Sequence, residues 1–254
     1  MIKMGIGNLL YVKLPKALSA IRDLSFSRTI QSRGLTFKLI TDNWITKYRA
    51  RTFNEKEPEM LDWLDQNLLD TDIFFDIGAN IGIYSIYAAI RKPNAKVFAL
   101  EPEYTNLHQL KQNILNNKLT NNIFTYSIAL DESSGISHLH IQDETPGAAL
   151  ATVSSDNLTV TATGHPIIWK EGVATMKIDD FSDTIGLKPT MIKIDVDGNE
   201  LSILKGGEKT LNNPKLKTIF IEVDYKKIGC EEILADYGFV LTHKFGENQI
   251  WKRP

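Results

Sequence analysis

The feature that most constrains the fold is a repeated alternation of helix-like and strand-like apolar patterns from Phe53 onward. Apolar residues at helical spacing form two stripes: the first consists of Met60, Leu61, Leu64 and Leu68, and the second of Tyr104, Leu107, Leu110 and Ile114. Further helices are predicted over 81–90 and 201–211. Short apolar runs predict strands over 73–75, 95–100, 123–129, 191–196 and 218–223. Such β-α repeats predict an α/β fold whose parallel sheet is covered by helices on both faces. Residues 239–243 and 249–251 flank Gly246 and predict an antiparallel hairpin.

Composition narrows the class of protein. The chain has 254 residues, of which 43% are hydrophobic and 24% are charged, so a disordered or fibrous chain is excluded. Its formal net charge of −2 gives no overall attraction to nucleic acid, and we expect no nucleic-acid partner. The single cysteine, Cys230, excludes a disulfide-stapled secreted fold. The apolar window 73–90 contains Asp76 and Asn80, which favours a buried strand, turn and helix over a membrane span.

The N-terminal segment is basic. Residues 1–35 carry six Lys and Arg residues against Asp23 alone, and apolar residues between Leu14 and Leu24 recur at helical spacing. The amphipathic helix predicted here either contacts a membrane surface or a lipid-linked acceptor, or packs on the domain with a solvated basic face. We favour the second interpretation. We assign residues 1–52 to an N-terminal helical or extended segment and 53–254 to the α/β domain, and expect a cytoplasmic protein.

Residues 142–172 break the alternation. The stretch is rich in Gly, Pro, Ser and Thr, and only residues 158–163 show a short alternating pattern. Long loops in compact domains are usually either functional or disordered. We interpret this one as an insertion that forms part of an acceptor pocket, with a merely flexible insertion as the alternative.

A glycine-rich turn is the strongest local signal of a binding site. Residues 75–82 read Phe-Asp-Ile-Gly-Ala-Asn-Ile-Gly and connect a predicted strand to a predicted helix. Glycines at Gly78 and Gly82 allow a sharp turn and a close approach of the backbone to a ligand. Glu101 ends the next predicted strand, where an acidic side chain of a Rossmann-like unit accepts hydrogen bonds from ribose hydroxyls.

The turn does not match the dinucleotide fingerprint. Counted from Gly78, the two further glycines of that fingerprint would fall on Asn80 and Ile83. Asp76 opens the turn with a negative charge, which suits a ligand with a positive amino group better than a pyrophosphate. These features favour S-adenosylmethionine over a nicotinamide dinucleotide. A tight turn that binds no ligand is the alternative.

A second acidic cluster follows the strand predicted over 191–196. Asp195, Asp197 and Glu200 lie there, and Glu222 ends the next predicted strand. Ligands of open α/β sheets bind beyond the carboxyl ends of the strands. Asp195 and Glu222 are therefore candidates for the base that takes a proton from an acceptor hydroxyl, or for Mg²⁺ ligands. Asp197 and Glu200 are equally well explained as turn or helix-capping residues.

Two histidines suggest a different metal site. His138 and His140 share a face if residues 136–141 form a strand. Because no third ligand is evident, we expect exposed strand histidines instead.

The motifs in order resemble the FkbM family of S-adenosylmethionine-dependent methyltransferases. The resemblance covers residues 53–223 and rests on segments 76–82 (DIGANIG), 99–102 (ALEP), 127–130 (SIAL), 176–181 (MKIDDF), 192–198 (IKIDVDG) and 221–223 (IEV). It implies a class I methyltransferase fold, which is Rossmann-like and three-layered, with a mostly parallel seven-stranded sheet and an antiparallel last strand. It also implies that Asp76, Gly78, Asn80 and Gly82 line the methionine part of the cofactor, that Glu101 holds the ribose and that Ala129 edges the adenine. Where the family usually has Glu, this chain has Asp197.

The resemblance further implies O-methylation of a carbohydrate, a glycolipid or a related natural product. We expect Asp195 to act as the base, with Glu222 assisting, and S-adenosyl-L-methionine as the cofactor. In a metal-dependent form of this mechanism, Asp195 and Glu222 bind Mg²⁺. The alternatives are N-methylation of an amino sugar or a protein, and an inert cofactor-binding scaffold.

Overall fold

The computed structural model describes residues 26–149, 151–155, 158–160, 164–223 and 228–254. The strands of this part are, in chain order, β1 (Ser27–Ser32), β2 (Leu35–Ile40), β3 (Ile73–Ile77), β4 (Lys96–Leu100), β5 (Ile123–Tyr126), β6 (Ala129–Leu130), β7 (Gly135–Ile141), β8 (Thr152–Ser154), β9 (Trp169–Met176), β10 (Met191–Ile194), β11 (Thr218–Glu222), β12 (Val240–Phe245) and β13 (Asn248–Lys252). The helices are α1 (Trp44–Thr52), α2 (Pro58–Asn67), α3 (Ile83–Arg91), α4 (Tyr104–Asn116), α5 (Ile178–Ile185), α6 (Glu200–Lys205), α7 (Glu208–Leu211) and α8 (Cys230–Asp236).

A seven-stranded sheet in the order β12-β13-β11-β10-β3-β4-β5 forms the centre of the fold. The five strands from β11 to β5 run parallel, and β13 pairs antiparallel with both β11 and β12. Two separate apolar clusters cover the two faces of this sheet, as expected of a three-layer fold. The class I methyltransferase architecture and the antiparallel last strand that the sequence predicts are confirmed.

The apolar window 73–90 is strand, turn and helix, as predicted. It forms β3 and α3, and α3 is buried along most of its length. Because α3 is apolar on nearly all sides, it packs between the sheet and the elements outside it. No helix in the described part of the chain is long and apolar enough to cross a membrane.

A second, four-stranded sheet in the order β6-β9-β7-β8 departs from the sequence prediction. Residues 123–129, predicted as one strand, divide into β5 in the main sheet and β6 in the second. Residues 142–172, predicted as a loop, contain β8 and the start of β9. The alternation of β9 is hidden in the sequence because Lys170, Glu171 and Gly172 interrupt its apolar positions.

The helix predicted over 201–211 is two helices, α6 and α7, separated by Gly206 and Gly207. A Cβ on Gly206 would lie 2.4 Å from the carbonyl oxygen of Asp131. The backbone therefore approaches the neighbouring chain segment too closely for any other residue. The apolar periodicity continues across the break, so it could not reveal this interruption.

The described part of the N-terminal segment consists of the β1–β2 hairpin and α1. Ile30, Phe37 and Leu39 of the hairpin belong to the same apolar cluster as Leu61 and Phe74 of the α/β domain. The amphipathic helix predicted between Leu14 and Leu24 lies outside the described residues.

Candidate cofactor and catalytic site

A cleft opens at the carboxyl ends of β3, β4 and β10, where ligands of open parallel sheets bind. Gly78, Asn80, Glu101, Ala129, Asp195 and Asp197 are among its lining residues. The register explains this convergence, because Asp76 of β3 pairs with both Ala99 of β4 and Lys193 of β10. Five of the predicted site residues therefore meet in one cavity.

The glycine turn packs against the second acidic segment. Gly78 has φ +75°, and a Cβ there would lie 1.9 Å from the carbonyl oxygen of Asp195. Glycine is needed at this position both for its left-handed backbone and for its lack of a side chain. Asn80 also has a positive φ, of 51°, and its Nδ2 donates to the carbonyl oxygen of Ala148 at 2.7 Å.

Glu101 is a buried carboxylate held by backbone donors. Its Oε2 accepts from the N–H of Asn80 at 2.7 Å, and its Oε1 accepts from the N–H of Glu103 at 2.9 Å. Burial raises the pKa of Glu101 to about 7, although the two backbone hydrogen bonds oppose the shift. Carboxylate oxygens have further acceptor capacity, so this side chain suits the two hydroxyls of a ribose.

We therefore expect cofactor affinity to depend on pH through Glu101. The carboxylate accepts hydrogen bonds from ribose hydroxyls better than the carboxylic acid does, so affinity is expected to be highest above pH 7 and to fall below it. Calorimetry with S-adenosylhomocysteine at pH 8 and at pH 5.5 measures this difference, which we expect to be several-fold and at most about tenfold per pH unit. Glu101→Gln does not titrate, so its affinity is expected to be independent of pH. An equal pH dependence in wild type and variant would contradict the assignment.

Lys193 is the charge centre beneath the cleft. Its side chain is 2% exposed, and its Nζ lies 3.1 Å from Asp76 Oδ1, 3.3 Å from Asp195 Oδ2 and 3.0 Å from the carbonyl oxygen of Gly78. Burial alone would lower the pKa of Lys193, but the charges of Asp195 and Asp76 outweigh it and raise that pKa. The lysine is therefore a permanent cation that ties the glycine turn to the acidic segment.

Asp76 lies beneath the cleft and Gly82 beside α4. Asp76 is 1% exposed, and Ser85 donates a hydrogen bond to its Oδ2. Gly82 begins α3 with φ +80°, and a Cβ there would lie 2.0 Å from Leu110 Cδ1. In this structure both residues shape the turn that carries Gly78 and Asn80.

Asp195 and Glu222 form a hydrogen-bonded carboxyl pair. Burial raises the pKa of Asp195, whereas the charge of Lys193 and the hydrogen bond from Glu222 lower it. The lowering effects are larger together, and the resulting pKa is about 2. The hydrogen bond to Asp195, followed by burial, raises the pKa of Glu222 to about 9. At neutral pH the pair therefore holds one proton between its two carboxyl groups, and the cation of Lys193 beside Asp195 favours the ionised form of that residue.

Apolar side chains also line the cleft. Leu100, Ile128, Ala129, Leu130 and Ile203 line it beside Glu101. A flat adenine ring suits such walls, and a ribose beside it would reach the carboxylate of Glu101. The residues present therefore fit an adenosyl group. Glu200 is buried and accepts from the N–H of Gly198 at 3.1 Å, which agrees with its interpretation as a turn residue.

The residues that the structure describes contain no group of three His, Cys, Asp or Glu placed to hold a metal ion. His138 and His140 both lie on β7, but His140 is fully buried and His138 is half-buried, so the expectation of exposed strand histidines is wrong. Residues 139–141 are all buried, so both faces of β7 are covered at this end of the strand.

Lys193 is the functional residue that sequence reasoning placed least well. The sequence analysis assigns it no role. A lysine inside the apolar run 191–194 is itself a signal, because an isolated charge within a buried strand requires a partner of opposite sign.

Comparison with known proteins finds a matching family and two similar relatives. The model of the methyltransferase FkbM domain matches residues 76–241. The hexuronic acid methyltransferase AglP of Haloferax volcanii is 26% identical over 184 residues, which are 71% of this chain and 68% of the relative. The methyltransferase sdnD of Sordaria araneosa is 25% identical over 205 residues, which are 71% of this chain and 78% of the relative.

Solved structures were also compared. A SAM-dependent methyltransferase from Agrobacterium tumefaciens is 10% identical with a TM-score of 0.49, covering 90% of this chain and 71% of that chain. M. jannaschii TYW2 in complex with AdoMet is 14% identical with a TM-score of 0.44, covering 90% of this chain and 87% of that chain.

Proposed function

The chain belongs to the FkbM family of S-adenosylmethionine-dependent methyltransferases, and from this premise we propose that it methylates a hydroxyl group of a carbohydrate-containing acceptor. The hexuronic acid activity named for AglP supports a sugar acceptor. The observation that carries the proposal is the Asp195–Glu222 pair, which offers a carboxylate to the proton that an acceptor hydroxyl loses on methylation.

S-adenosylmethionine supplies the methyl group when bound. Asp195 takes the proton of the acceptor hydroxyl as the oxygen–methyl bond forms, which is general-base catalysis by a positioned carboxylate. Glu222, neutral at pH 7, donates a hydrogen bond that orients Asp195. Lys193 holds Asp195 ionised from below.

The low pKa of Asp195 is compatible with this role. A carboxylate with a pKa of about 2 is a weak base toward a resting hydroxyl. The hydroxyl proton becomes strongly acidic only as the methyl group is transferred to its oxygen. Asp195 therefore accepts the proton late in the reaction and needs no deprotonated acceptor beforehand.

Incubation of the protein with methyl-labelled cofactor and a panel of acceptors tests the proposal. The panel contains glycan and glycolipid extracts, free hexuronic acids, amino sugars and a protein extract, and mass spectrometry locates the label. We expect label on a sugar oxygen. Label on nitrogen would support amino-group methylation instead, and no label on any acceptor, despite cofactor binding, would support an inert scaffold. Loss of labelling with EDTA would support a Mg²⁺ ion at Asp195 and Glu222.

A further inference from the structure

A second cavity, of about 540 Å³, lies beside the cofactor cleft. It is formed by α1 on one side and by segments 142–149 and 165–166 on the other. We propose that this cavity binds the acceptor, and that the acceptor is a sugar ring bearing a carboxylate, that is, a hexuronic acid unit. The inference rests on the proposed function and adds the place and the charge of the acceptor.

The two cavities adjoin. Ala148 and Ala149 line both of them. The carbonyl oxygen of Ala148 accepts hydrogen bonds from Asn80 of the glycine turn, at 2.7 Å, and from Asn106 of α4, at 3.2 Å. A ligand in the second cavity therefore lies next to the cofactor cleft, at residues that the cofactor-binding turn itself holds.

An aromatic surface suited to a sugar ring lines the second cavity. Trp44 and Tyr48 of α1 are 71% and 43% exposed, and their spacing of four residues places them on one face of the helix. Large aromatic side chains are usually buried, and exposed ones in a concave site are typical of ligand recognition. The apolar faces of pyranose rings pack on such side chains while their hydroxyls stay hydrated.

Arg49 gives the cavity its preference for an anion. Its Nε donates to the carbonyl oxygen of Gly147 at 2.7 Å. This hydrogen bond fixes the guanidinium next to residues 148 and 149, which line both cavities. The charge of Arg49 lowers the pKa of Asp195, so the two side chains are within electrostatic reach of each other. A guanidinium binds a carboxylate through two parallel hydrogen bonds.

Two other charged side chains line the cavity. Lys56 is one of them, and its Nζ is paired with Glu57 at 2.7 Å. Asp143 is the acidic lining residue among those described. Of the two lining cations, Arg49 is the one whose charge acts on Asp195, so it is the residue placed to hold an anionic group near the catalytic carboxyl pair.

Binding of two matched probes tests this inference. Methyl β-D-glucuronide and methyl β-D-glucoside differ in the carboxylate alone, and each is titrated into the protein saturated with S-adenosylhomocysteine, followed by NMR. We expect the glucuronide to bind about tenfold more tightly than the glucoside, because only it makes the charge-assisted hydrogen bonds with Arg49. Arg49→Gln is expected to abolish this difference. Arg51→Gln, an exposed arginine of the same helix, is the control and is expected to preserve it.

Trp44→Ala tests the aromatic surface. We expect it to weaken both probes about tenfold, because both rings pack on the indole, whereas Phe245→Ala, at an exposed aromatic residue of β12, leaves both affinities unchanged. The high exposure of Trp44 means that its removal leaves the core intact.

Equal affinity of the two probes for wild type, unchanged binding to Arg49→Gln and Trp44→Ala, or absence of binding would overturn the inference. The labelling experiment tests the proposed function independently, because a neutral sugar that gains a methyl group would preserve the function and refute the anionic acceptor.

Discussion

Asp195→Asn is expected to lower the rate of methyl transfer by about 10²–10⁴-fold, the usual contribution of a general base. An amide of the same shape cannot accept the hydroxyl proton, so the loss falls on kcat. Because Asp195 borders the cofactor cleft without being the ribose acceptor, cofactor affinity measured by calorimetry is expected to change only a few-fold. Full turnover of Asp195→Asn with normal cofactor binding would show that the catalytic assignment is wrong.

Two further variants sharpen this test. Glu222→Gln replaces a neutral carboxylic acid by an amide that can still donate a hydrogen bond to Asp195, so we expect it to keep the rate within about tenfold of wild type. Asp183→Asn, at an exposed residue paired with Lys188 and Lys209, is the surface control and is expected to have no effect. If Glu222→Gln were inactive and Asp195→Asn active, the roles of the two carboxyl groups would be exchanged.

Lys193→Met is expected to destabilise the protein by about 3–5 kcal/mol, because removing one member of a buried ion pair leaves uncompensated buried charge. Here two carboxylates, Asp76 and Asp195, lose their shared cation. Chemical denaturation at pH 7 measures the difference in free energy of unfolding. Lys188→Met removes an exposed partner of Asp183 and is expected to change stability by less than about 1 kcal/mol.

The pH dependence of the stability lost in Lys193→Met identifies the cause of that loss. In the wild type, Lys193 contributes to a lowered pKa of Asp195, and the associated stability is present above the ordinary pKa of 3.8 and is lost as the pH falls toward 2. In the variant, Asp195 loses the cation that lowers its pKa and is expected to titrate at higher pH. The deficit should therefore shrink as the pH falls below about 5. A deficit that is the same at all pH values would indicate lost packing rather than lost charge pairing.

The sequence predicted most of the main sheet because its strands are short, apolar and separated by helices with clear spacing. The segments at 73–75, 95–100 and 218–223 all lie within one or two residues of β3, β4 and β11. The second sheet was not predicted because β6 and β8 are only two and three residues long, and because Lys170, Glu171 and Gly172 interrupt the apolar positions of β9. The break between α6 and α7 was missed because Gly206 is required by the carbonyl of Asp131, a contact distant in sequence.

The cofactor site was predictable where its residues lie at the carboxyl ends of predicted parallel strands. Gly78, Asn80, Glu101 and Asp195 lie at the carboxyl ends of predicted strands or in the turns that follow them, so their convergence followed from the topology. The proton shared by Asp195 and Glu222 was not predictable, since it depends on the approach of side chains from β10 and β11 and on the charge of Lys193. The second cavity was hidden for a similar reason, because α1 and the segments 142–149 and 165–166 meet only in three dimensions.

The central claim is that one cleft, with Glu101 at the end of β4 and the glycine turn at the end of β3, binds the adenosyl cofactor. Calorimetric titration of S-adenosylmethionine into wild type and Glu101→Ala tests it most directly. We expect a single saturable site in the wild type and a loss of affinity of at least about tenfold in the variant, as for hydrogen bonds to a charged acceptor. Equal affinity of the two proteins, or no binding to the wild type, would contradict the account.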